Sequence, residues 1–348
     1  MSGEIGERLL FVETLDGLLE ALASERQLYV PRAVEAGHLL VPYEGLKGIP
    51  FNPIRTINPI KELLVPICEP VASMPAGMVE CPDAEPFAVF GLKPCDLKAI
   101  DILDKVFLDR DLEDSYYLAR RALIMLVCSD CTEPGPSCFC NLLGGKPYPD
   151  GHFDLNISKV SGGFVVQAGS RLGKEFMERH KDLFGQAPQQ AGAEILQRRK
   201  NAEAALGRIN SEWPYISRAK ELLEQGYEHQ VFEDQGKVCV ECQACTRVCP
   251  TCHCFYLYDA AYKEYFLRMK MWDSCIRRTY AQVAGGENPR RMLSDRLRHR
   301  LMHKFVYFPD RYGLQMCVGC GRCIDAETGG VDIRDILDAL VKADVNGK

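Results

Sequence analysis

The 348-residue sequence lacks the usual features of membrane and nucleotide-binding proteins. No apolar run approaches the roughly 20 residues that a membrane-spanning helix requires. The first residues, Met1 to Glu4, are not followed by the basic and apolar regions of a signal peptide, so we expect a cytoplasmic protein. No Gly-x-Gly-x-x-Gly motif follows a predicted strand and no P-loop is present, so we expect no dinucleotide site in this chain. The net charge of −6 argues against nucleic acid as a main partner.

Cysteine, in contrast, is abundant, with 17 residues. Disulfide scaffolds are typical of much smaller secreted domains. The contents of 47% hydrophobic and 26% charged residues instead indicate a globular protein with a substantial core. We therefore interpret the cysteines as metal ligands in a reducing compartment. The chain length favours two domains.

The most specific motif is formed by Cys239, Cys242, Cys245 and Cys249, with Pro250 directly after it. This C-x2-C-x2-C-x3-C-P spacing is the one with which bacterial-type ferredoxins bind a [4Fe–4S] cluster. Gaps of two residues let one loop direct three thiolates at three iron atoms. Zinc is a poor alternative, because these four cysteines are too crowded for two separated zinc-binding pairs.

A second run, Cys317, Cys320 and Cys323, repeats the first three positions of this spacing but has Glu327 at the fourth. Sequence of helical character separates the two runs, which is typical of an alpha-helical ferredoxin module with two clusters. In such modules the fourth cysteine of one run binds the cluster of the other. We therefore expect Cys249 to complete the cluster of Cys317, Cys320 and Cys323.

This exchange leaves the cluster of Cys239, Cys242 and Cys245 one thiolate short. Glu327 is one candidate for the missing ligand, although it is also interpretable as a solvated acid. The other candidates are Cys252, Cys254 and Cys275, and a three-iron cluster is the remaining outcome. The family resemblance carried by the motif around Cys252 and Cys254, given below, ranks a thiol ahead of Glu327.

A third group of cysteines surrounds a predicted α/β unit in the first half of the chain. Apolar runs at 87–92 and 122–127 predict two buried strands, and Asp96 is expected to cap a helix over 96–108 between them. If the strands are parallel neighbours, the cysteines that follow them lie at one edge of the sheet, where α/β proteins bind ligands. The cysteines concerned are Cys95, Cys128, Cys131, Cys138 and Cys140. We predict a third [4Fe–4S] cluster on Cys95, Cys131, Cys138 and Cys140, with Cys128 as a neighbouring buried thiol or additional ligand. Free core cysteines are the alternative, and Cys68 and Cys81 are expected to be structural.

The fold class predicted from these patterns is α+β. Residues 1–220 are expected to form an α/β domain with the third cluster, and residues 221–348 an alpha-helical domain with two [4Fe–4S] clusters. The first domain is expected to contain a hairpin over 153–160 and 164–168 and helices over 172–184 and 191–209. The second is expected to contain helices over 256–275, 289–305 and 331–343.

The stretch from Arg268 to Lys304 is rich in basic residues. Such a run is usually a solvated helix face. Cations beside a negatively charged cluster would instead favour its reduced state and raise its potential. Other basic residues of this stretch are expected to face an acidic surface of a partner. The histidines at 180, 229, 253 and 303 have no ligand-type spacing.

Four further motifs carry a family resemblance: Phe90-Gly-Leu-Lys-Pro-Cys-Asp-Leu-Lys-Ala-Ile100, Asp130-Cys-Thr-Glu-Pro-Gly-Pro-Ser-Cys-Phe-Cys140, Cys249-Pro-Thr-Cys-His-Cys-Phe255 and Trp272-Asp-Ser-Cys275. Together with Val318-Gly-Cys-Gly-Arg322, they resemble the iron–sulfur beta subunit of cytoplasmic sulfhydrogenase-type [NiFe] hydrogenases. The corresponding iron–sulfur component of anaerobic sulfite reductase is similar. That family usually has Cys-Pro where this chain has Glu327-Thr328.

The resemblance implies an electron conduit between a subunit that handles flavin and NAD(P) and a catalytic partner. Related modules serve hydrogenases, sulfite reductases and heterodisulfide-reductase-like complexes of anaerobic metabolism. We therefore expect an electron-transfer subunit that is not catalytic by itself, with three clusters. The alternative is an enzyme subunit in which the incompletely ligated cluster binds substrate. A redox sensor would not need three clusters.

Overall fold

Residues 9–45, 51–77, 85–109, 111 and 113–346 are described by the computed structural model of the chain. Cys81 lies outside these described residues. The chain divides into two compact units, each assembled from separate stretches of sequence. The first unit contains Met1–Ile60, Asp83–Lys98 and Ala119–Ile209, and the second contains Lys61–Pro82, Ala99–Leu118 and Asn210–Lys348. The division into domains at residues 220 and 221 stays a prediction.

Strands and helices alternate along the first part of the chain. The strands are β1 (Leu10–Val12), β2 (Gln27–Val34), β3 (Gly37–Pro42), β4 (Cys68–Met74), β5 (Phe87–Leu92), β6 (Ile124–Ser129), β7 (Leu155–Val160), β8 (Gly163–Ala168), β9 (Gly185–Gln186), β10 (Phe255–Tyr262) and β11 (Tyr265–Trp272). The α-helices are α1 (Asp16–Glu25), α2 (Lys61–Leu64), α3 (Pro94–Phe107), α4 (Ser115–Leu123), α5 (Arg171–Arg179), α6 (Ala191–Ile209), α7 (Ala219–Gln225), α8 (Val231–Val238), α9 (Ala244–Arg247), α10 (Leu293–Met302), α11 (Phe308–Tyr312), α12 (Arg322–Asp325) and α13 (Ile333–Asn346). Short 3-10 helices span Cys140–Leu143, Lys181–Leu183 and Pro214–Arg218, and a π-helical turn spans His303–Tyr307. In the described part of the chain, no helix is both long enough and apolar enough to cross a membrane.

The first unit is organised around a mixed sheet in the order β3-β2-β5-β6-β7-β8-β1-β9. Strands β2, β5, β6 and β7 are parallel neighbours, whereas the flanking pairs are antiparallel. Every residue of β5 and β6 is buried, which explains their continuous apolar sequences. Leu18, Leu19 and Leu22 of α1 and Phe176 of α5 pack into the same core.

The structure confirms the predicted strand at 87–92, and it confirms that this strand and the following one are parallel neighbours. It also confirms the hairpin at β7 and β8 and the helix at 191–209. The expectation that Asp96 caps α3 is wrong, because the helix begins two residues earlier at Pro94, a residue suited to a first helical position. Asp96 lies in the first turn instead, and its Oδ2 accepts a hydrogen bond from the Lys93 backbone N–H at 3.1 Å.

The second unit contains most of the short helices and a three-stranded sheet in the order β10-β11-β4. The helix predicted over 256–275 is wrong, because β10 and β11 form a hairpin there, with Tyr262 opposite Tyr265. Lys263 has a positive φ of 52° at the turn. The hairpin is completed by β4, a strand from far away in the sequence, which pairs with β11. The predicted helix over 289–305 corresponds to α10 and the π-helical turn, and the one over 331–343 to α13.

Candidate iron–sulfur centres

The two cysteine runs of the second unit adopt the same backbone path. In the first run Glu241 and Gln243 have positive φ angles of 57° and 63°, and in the second Gly319 and Gly321 have 64° and 75°. A short helix then begins directly before the third cysteine of each run, α9 in the first and α12 in the second. Left-handed backbone is unfavourable for residues with a Cβ, so its use by two non-glycine residues indicates a functionally constrained loop. The matching paths make Cys249 and Glu327 equivalent positions.

Cys249 faces the second run. Its thiol interacts electrostatically with those of Cys317 and Cys323, both of which also interact with Cys320. Burial raises the pKa of the Cys317 thiol to about 11 and that of the Cys323 thiol to about 12. The structure therefore brings together the four cysteines that the sequence assigned to one cluster. We refer to Cys249, Cys317, Cys320 and Cys323 as the inner group.

Glu327 faces the first run in the same way. Its Oε1 lies 4.0 Å from the Cys242 Sγ, and its carboxylate interacts electrostatically with Cys239 and Cys245. The second carboxylate oxygen accepts a hydrogen bond of 2.8 Å from the Val331 N–H, which fixes the orientation of the side chain. We refer to Cys239, Cys242, Cys245 and Glu327 as the outer group, because Cys242 is exposed to solvent.

A close approach between two backbone segments holds Glu327 in this position. A Cβ added at Gly329 would lie 2.3 Å from the Val238 carbonyl oxygen and 3.2 Å from the Cys239 Cα. Only glycine allows the segment that follows Glu327 to pass so near the first cysteine of the outer group.

The three other candidate thiols lie elsewhere. Cys252 donates a hydrogen bond to Cys249, and this contact, with the charges of Lys304 and Lys61, holds the pKa of the Cys249 thiol well below its usual range. Cys275 likewise donates to Cys254, which lowers the pKa of Cys254 to about 6, and the Tyr280 hydroxyl lies 3.6 Å from the Cys254 Sγ. The described contacts thus pair Cys252 with Cys249 and Cys254 with Cys275, whereas the carboxylate beside Cys242 is that of Glu327.

Three buried cations lie among the cysteines of the second unit. Lys61 Nζ donates to the carbonyls of Thr246 and Cys252 at 2.9 and 3.0 Å, and Lys304 Nζ lies 3.3 Å from the Cys249 Sγ. Arg300 Nη2 lies 3.5 Å from the Cys245 carbonyl oxygen. Within the described part of the chain, none of the three forms an ion pair with a carboxylate.

Buried charges without a counter-charge cost several kcal/mol each. A thiolate-bound [4Fe–4S] cluster carries net negative charge and supplies that counter-charge. The donor set and the buried cations therefore fit this group. Among the described residues, no three His, Cys, Asp or Glu side chains surround one point as the ligands of a single metal ion do. A cluster does not require that geometry, since each thiolate binds a different iron atom.

The cysteines of the first unit follow its central parallel strands. Leu92 of β5 is paired in register with Cys128 of β6, and Cys95 and Cys131 lie three residues beyond these two positions. Cys95 and Cys131 therefore follow the sheet at the same edge, that of the carboxyl ends of β5 and β6. A bulge at Gly91, with φ of 80°, lets the backbone pass close to Asn52, since a Cβ there would lie 2.5 Å from the Asn52 Oδ1.

Cys138 and Cys140 return to this edge after the Pro134-Gly-Pro136 turn. The Cys138 thiol interacts electrostatically with Cys131. Cys140 begins a 3-10 helix whose last carbonyl, that of Leu143, accepts a hydrogen bond of 3.0 Å from Lys98 Nζ at the start of α3. Cys128 is fully buried within β6, and burial raises the pKa of its thiol well above the usual value.

Two further cations were not identified from the sequence. Lys93 is 1% exposed, and its Nζ donates to the Asn52 carbonyl, the Ser129 hydroxyl and the Asp130 carbonyl at 2.6, 2.7 and 3.1 Å. Arg55 is also buried and acts electrostatically on Cys131. The only sequence signal was the presence of Lys93 between a buried strand and Cys95.

Asp130 anchors the loop that begins with Cys131. Its carboxylate accepts two hydrogen bonds from Arg199, at 2.9 and 3.1 Å, and others from Asn156 and Ser158. Arg199 is half-buried, so this ion pair is partly shielded from water and fixes the start of the loop.

The basic residues at 268–304 fall into two sets, one buried and one exposed to solvent. Arg296, Arg300 and Lys304 are buried, whereas Arg278 and Arg291 are exposed. Arg268 forms an exposed ion pair with Asp259. The sequence run therefore combines ordinary surface charges with charges that lie among the cysteines.

Comparison with known proteins agrees with this arrangement. Residues 238–331 match the family described as "4Fe-4S dicluster domain". The chain is 33% identical over 289 residues to Sulfhydrogenase 2 subunit beta of Pyrococcus furiosus, and the match covers 82% of this chain and 84% of that protein. The predicted resemblance is confirmed. The chain belongs to the family of sulfhydrogenase beta subunits and is an iron–sulfur protein whose dicluster domain implies at least two [4Fe–4S] clusters.

Proposed function

We propose that this chain is the electron-transfer subunit of a cytoplasmic, multi-subunit oxidoreductase. It relays electrons between a subunit that handles flavin and NAD(P) and a catalytic partner of the hydrogenase, sulfite reductase or heterodisulfide reductase type. The observation that carries this proposal is the exchange between two cysteine loops of matching geometry, in which each loop faces the fourth position of the other. The bound clusters would supply one-electron chemistry. The residues around each cluster determine the charge beside it and its exposure to solvent.

We assign one cluster to the inner group, one to the outer group and a third to Cys95, Cys131, Cys138 and Cys140. For the outer group we propose Glu327 as the fourth ligand. The contact between Glu327 and Cys242 supports this choice, as does the pairing of Cys252 with Cys249 and of Cys254 with Cys275.

The two groups of the second unit differ in access. Cys242 is exposed, whereas Cys317 and Cys320 are each 8% exposed. Electron exchange with a partner favours the exposed group, because transfer requires close approach. We propose that the outer group faces the partner and that the inner group passes electrons within the chain.

The proposed relay is tested by anaerobic purification of the tagged chain from its own cells. We expect two kinds of partner to be identified by mass spectrometry, one that contains flavin and one that is a catalytic oxidoreductase. We also expect NAD(P)H to reduce the clusters in the intact assembly but not in the isolated chain. Reduction of the isolated chain by NAD(P)H, or purification as a chain without partners, would contradict the relay.

A second candidate function is substrate binding at the outer group. The observation in its favour is the carboxylate at the fourth position, because an oxygen ligand is harder than a thiolate and exchanges more readily. The Glu327 variants below test whether this carboxylate is a ligand, and binding of a small anion to the outer cluster would then support the enzyme alternative.

Glu327→Ala should convert the outer cluster into a three-iron form, because the carboxylate no longer holds the fourth iron. Glu327→Cys should retain four irons and shift the potential of the same cluster, since a thiolate replaces an oxygen ligand. Electron paramagnetic resonance and redox titration measure both effects. Glu233→Ala, at an exposed position of α8, is the matched control and should change neither. If both Glu327 variants leave every cluster unaltered, Glu327 is not a ligand.

A further inference from the structure

Arg300 and Lys304 lie four residues apart on one continuous helical segment. Arg300 belongs to the last turn of α10, and Lys304 belongs to the π-helical turn that follows. Residues at this spacing share one side of a helix. π-helical turns within α-helices are uncommon and are frequently found at functional sites. Arg300 and Lys304 are only 3% and 2% exposed, so water screens neither charge effectively.

Lys304 contacts the inner group, whereas Arg300 lies close to thiols of both groups. Lys304 Nζ lies 3.3 Å from the Cys249 Sγ and 3.3 Å from the Thr251 hydroxyl, which is itself 3.3 Å from the same sulfur. The charge of Arg300 acts first on Cys245 of the outer group and then on Cys323 of the inner group.

The outer group differs in its fourth position, which carries the Glu327 carboxylate. Arg296, a buried cation that contacts the outer loop, is paired with Glu241 at 3.2 Å. The inner group thus has the Lys304 ammonium beside one of its thiols, whereas the outer group has a carboxylate at its fourth position.

Histidines contribute no charge to this difference. The rings of His253 and His303 lie 5.7 Å apart, and His303 stacks on His299 at 6.1 Å. Burial lowers the pKa of each of these three histidines to about 4, so all are neutral at pH 7. The positive charge near the inner group therefore comes from lysine and arginine alone.

We propose that Lys304 at the inner group and the Glu327 carboxylate at the outer group set the order of the two cluster potentials, so that the cluster of the inner group is the easier one to reduce. Each reduction adds one electron without making or breaking a bond, and the added negative charge is stabilised by a nearby buried cation. An electron that enters through the exposed outer group is therefore drawn inward to the inner group. This inference rests on the ligand assignment proposed above.

The test is anaerobic redox titration of the full chain, followed by electron paramagnetic resonance. Lys304→Met removes the charge with little change in volume. We expect it to shift the inner cluster toward the oxidised state by tenfold or more, which equals about 59 mV for a one-electron couple. Lys304→Arg keeps the charge and should remain within threefold of the unaltered protein. Lys342→Met removes an exposed lysine of the same unit and should have no effect.

Iron content separates the failure of this inference from the failure of the ligand assignment. If Lys304→Met keeps its iron and its inner-cluster potential is unchanged, the inference is overturned. If Lys304→Met loses iron, Lys304→Gln decides in the same titration, and an unchanged inner-cluster potential in that variant overturns the inference as well. Failure of the ligand assignment would instead appear as an inner-cluster signal that persists in Cys320→Ser and Cys323→Ser.

Discussion

Cys249→Ala is expected to lose about four iron atoms per chain, the content of one [4Fe–4S] cluster. The reason is geometric, because Cys249 provides the fourth thiol of the inner group and interacts with Cys317 and Cys323. Iron analysis and electron paramagnetic resonance of anaerobically purified protein measure the loss.

Cys252→Ala is the matched control for this prediction. Cys249 and Cys252 are each 9% exposed, lie three residues apart and are hydrogen-bonded to one another. If disturbed packing caused the loss of iron, both variants would lose it. If the loss of a ligand causes it, only Cys249→Ala should lose iron. If Cys252→Ala loses iron and Cys249→Ala does not, the fourth ligand of the inner group has been assigned to the wrong residue.

Cys95→Ala is expected to lose the cluster of the first unit, leaving about eight of about twelve iron atoms per chain. Cys95 and Cys131 lie at equivalent distances beyond two paired strands, and the buried cations Lys93 and Arg55 suit a negatively charged group at this edge. The paramagnetic signals of the inner and outer clusters should persist, since their ligands belong to the other unit.

The control for Cys95 is Cys128→Ala. Cys128 is fully buried within β6, so its removal tests packing without removing a proposed ligand. We expect this variant to keep all its iron and to lose only a modest amount of stability. An unaltered iron content in Cys95→Ala would mean that this thiol is merely part of the core. A total near eight iron atoms in the unaltered protein would remove the third cluster from the proposal.

Local patterns predicted much of the first unit. The bounds of β5 were predicted correctly because a run of six buried apolar residues is bordered by a charged residue and a proline. The hairpin of β7 and β8 was predicted correctly because Ser161-Gly-Gly163 marks the turn. In both cases neighbouring residues alone determine the structure.

The hairpin of β10 and β11 shows where local reasoning failed. Its sequence is rich in tyrosine, phenylalanine and methionine, and the aromatic residues favour strands. What stabilises the strands is the pairing of β11 with β4, about two hundred residues away in the chain. Such a distant pairing leaves no signal in a window of the sequence, so a helix was predicted instead.

The sequence by itself determined the chemistry of this protein. The cysteine spacing C-x2-C-x2-C occurs twice and is a local property of short loops. This spacing identifies an iron–sulfur protein. Tertiary structure decided which distant side chains complete each group. Glu327 meets Cys242 because Gly329 packs against the backbone of Val238. Lys61, Arg300 and Lys304 become buried among thiols, whereas Arg278 and Arg291 remain in solvent. The electrostatic environment of a cluster depends on this burial, because a charge acts strongly only where water is excluded, and no sequence pattern distinguishes the two kinds of cation.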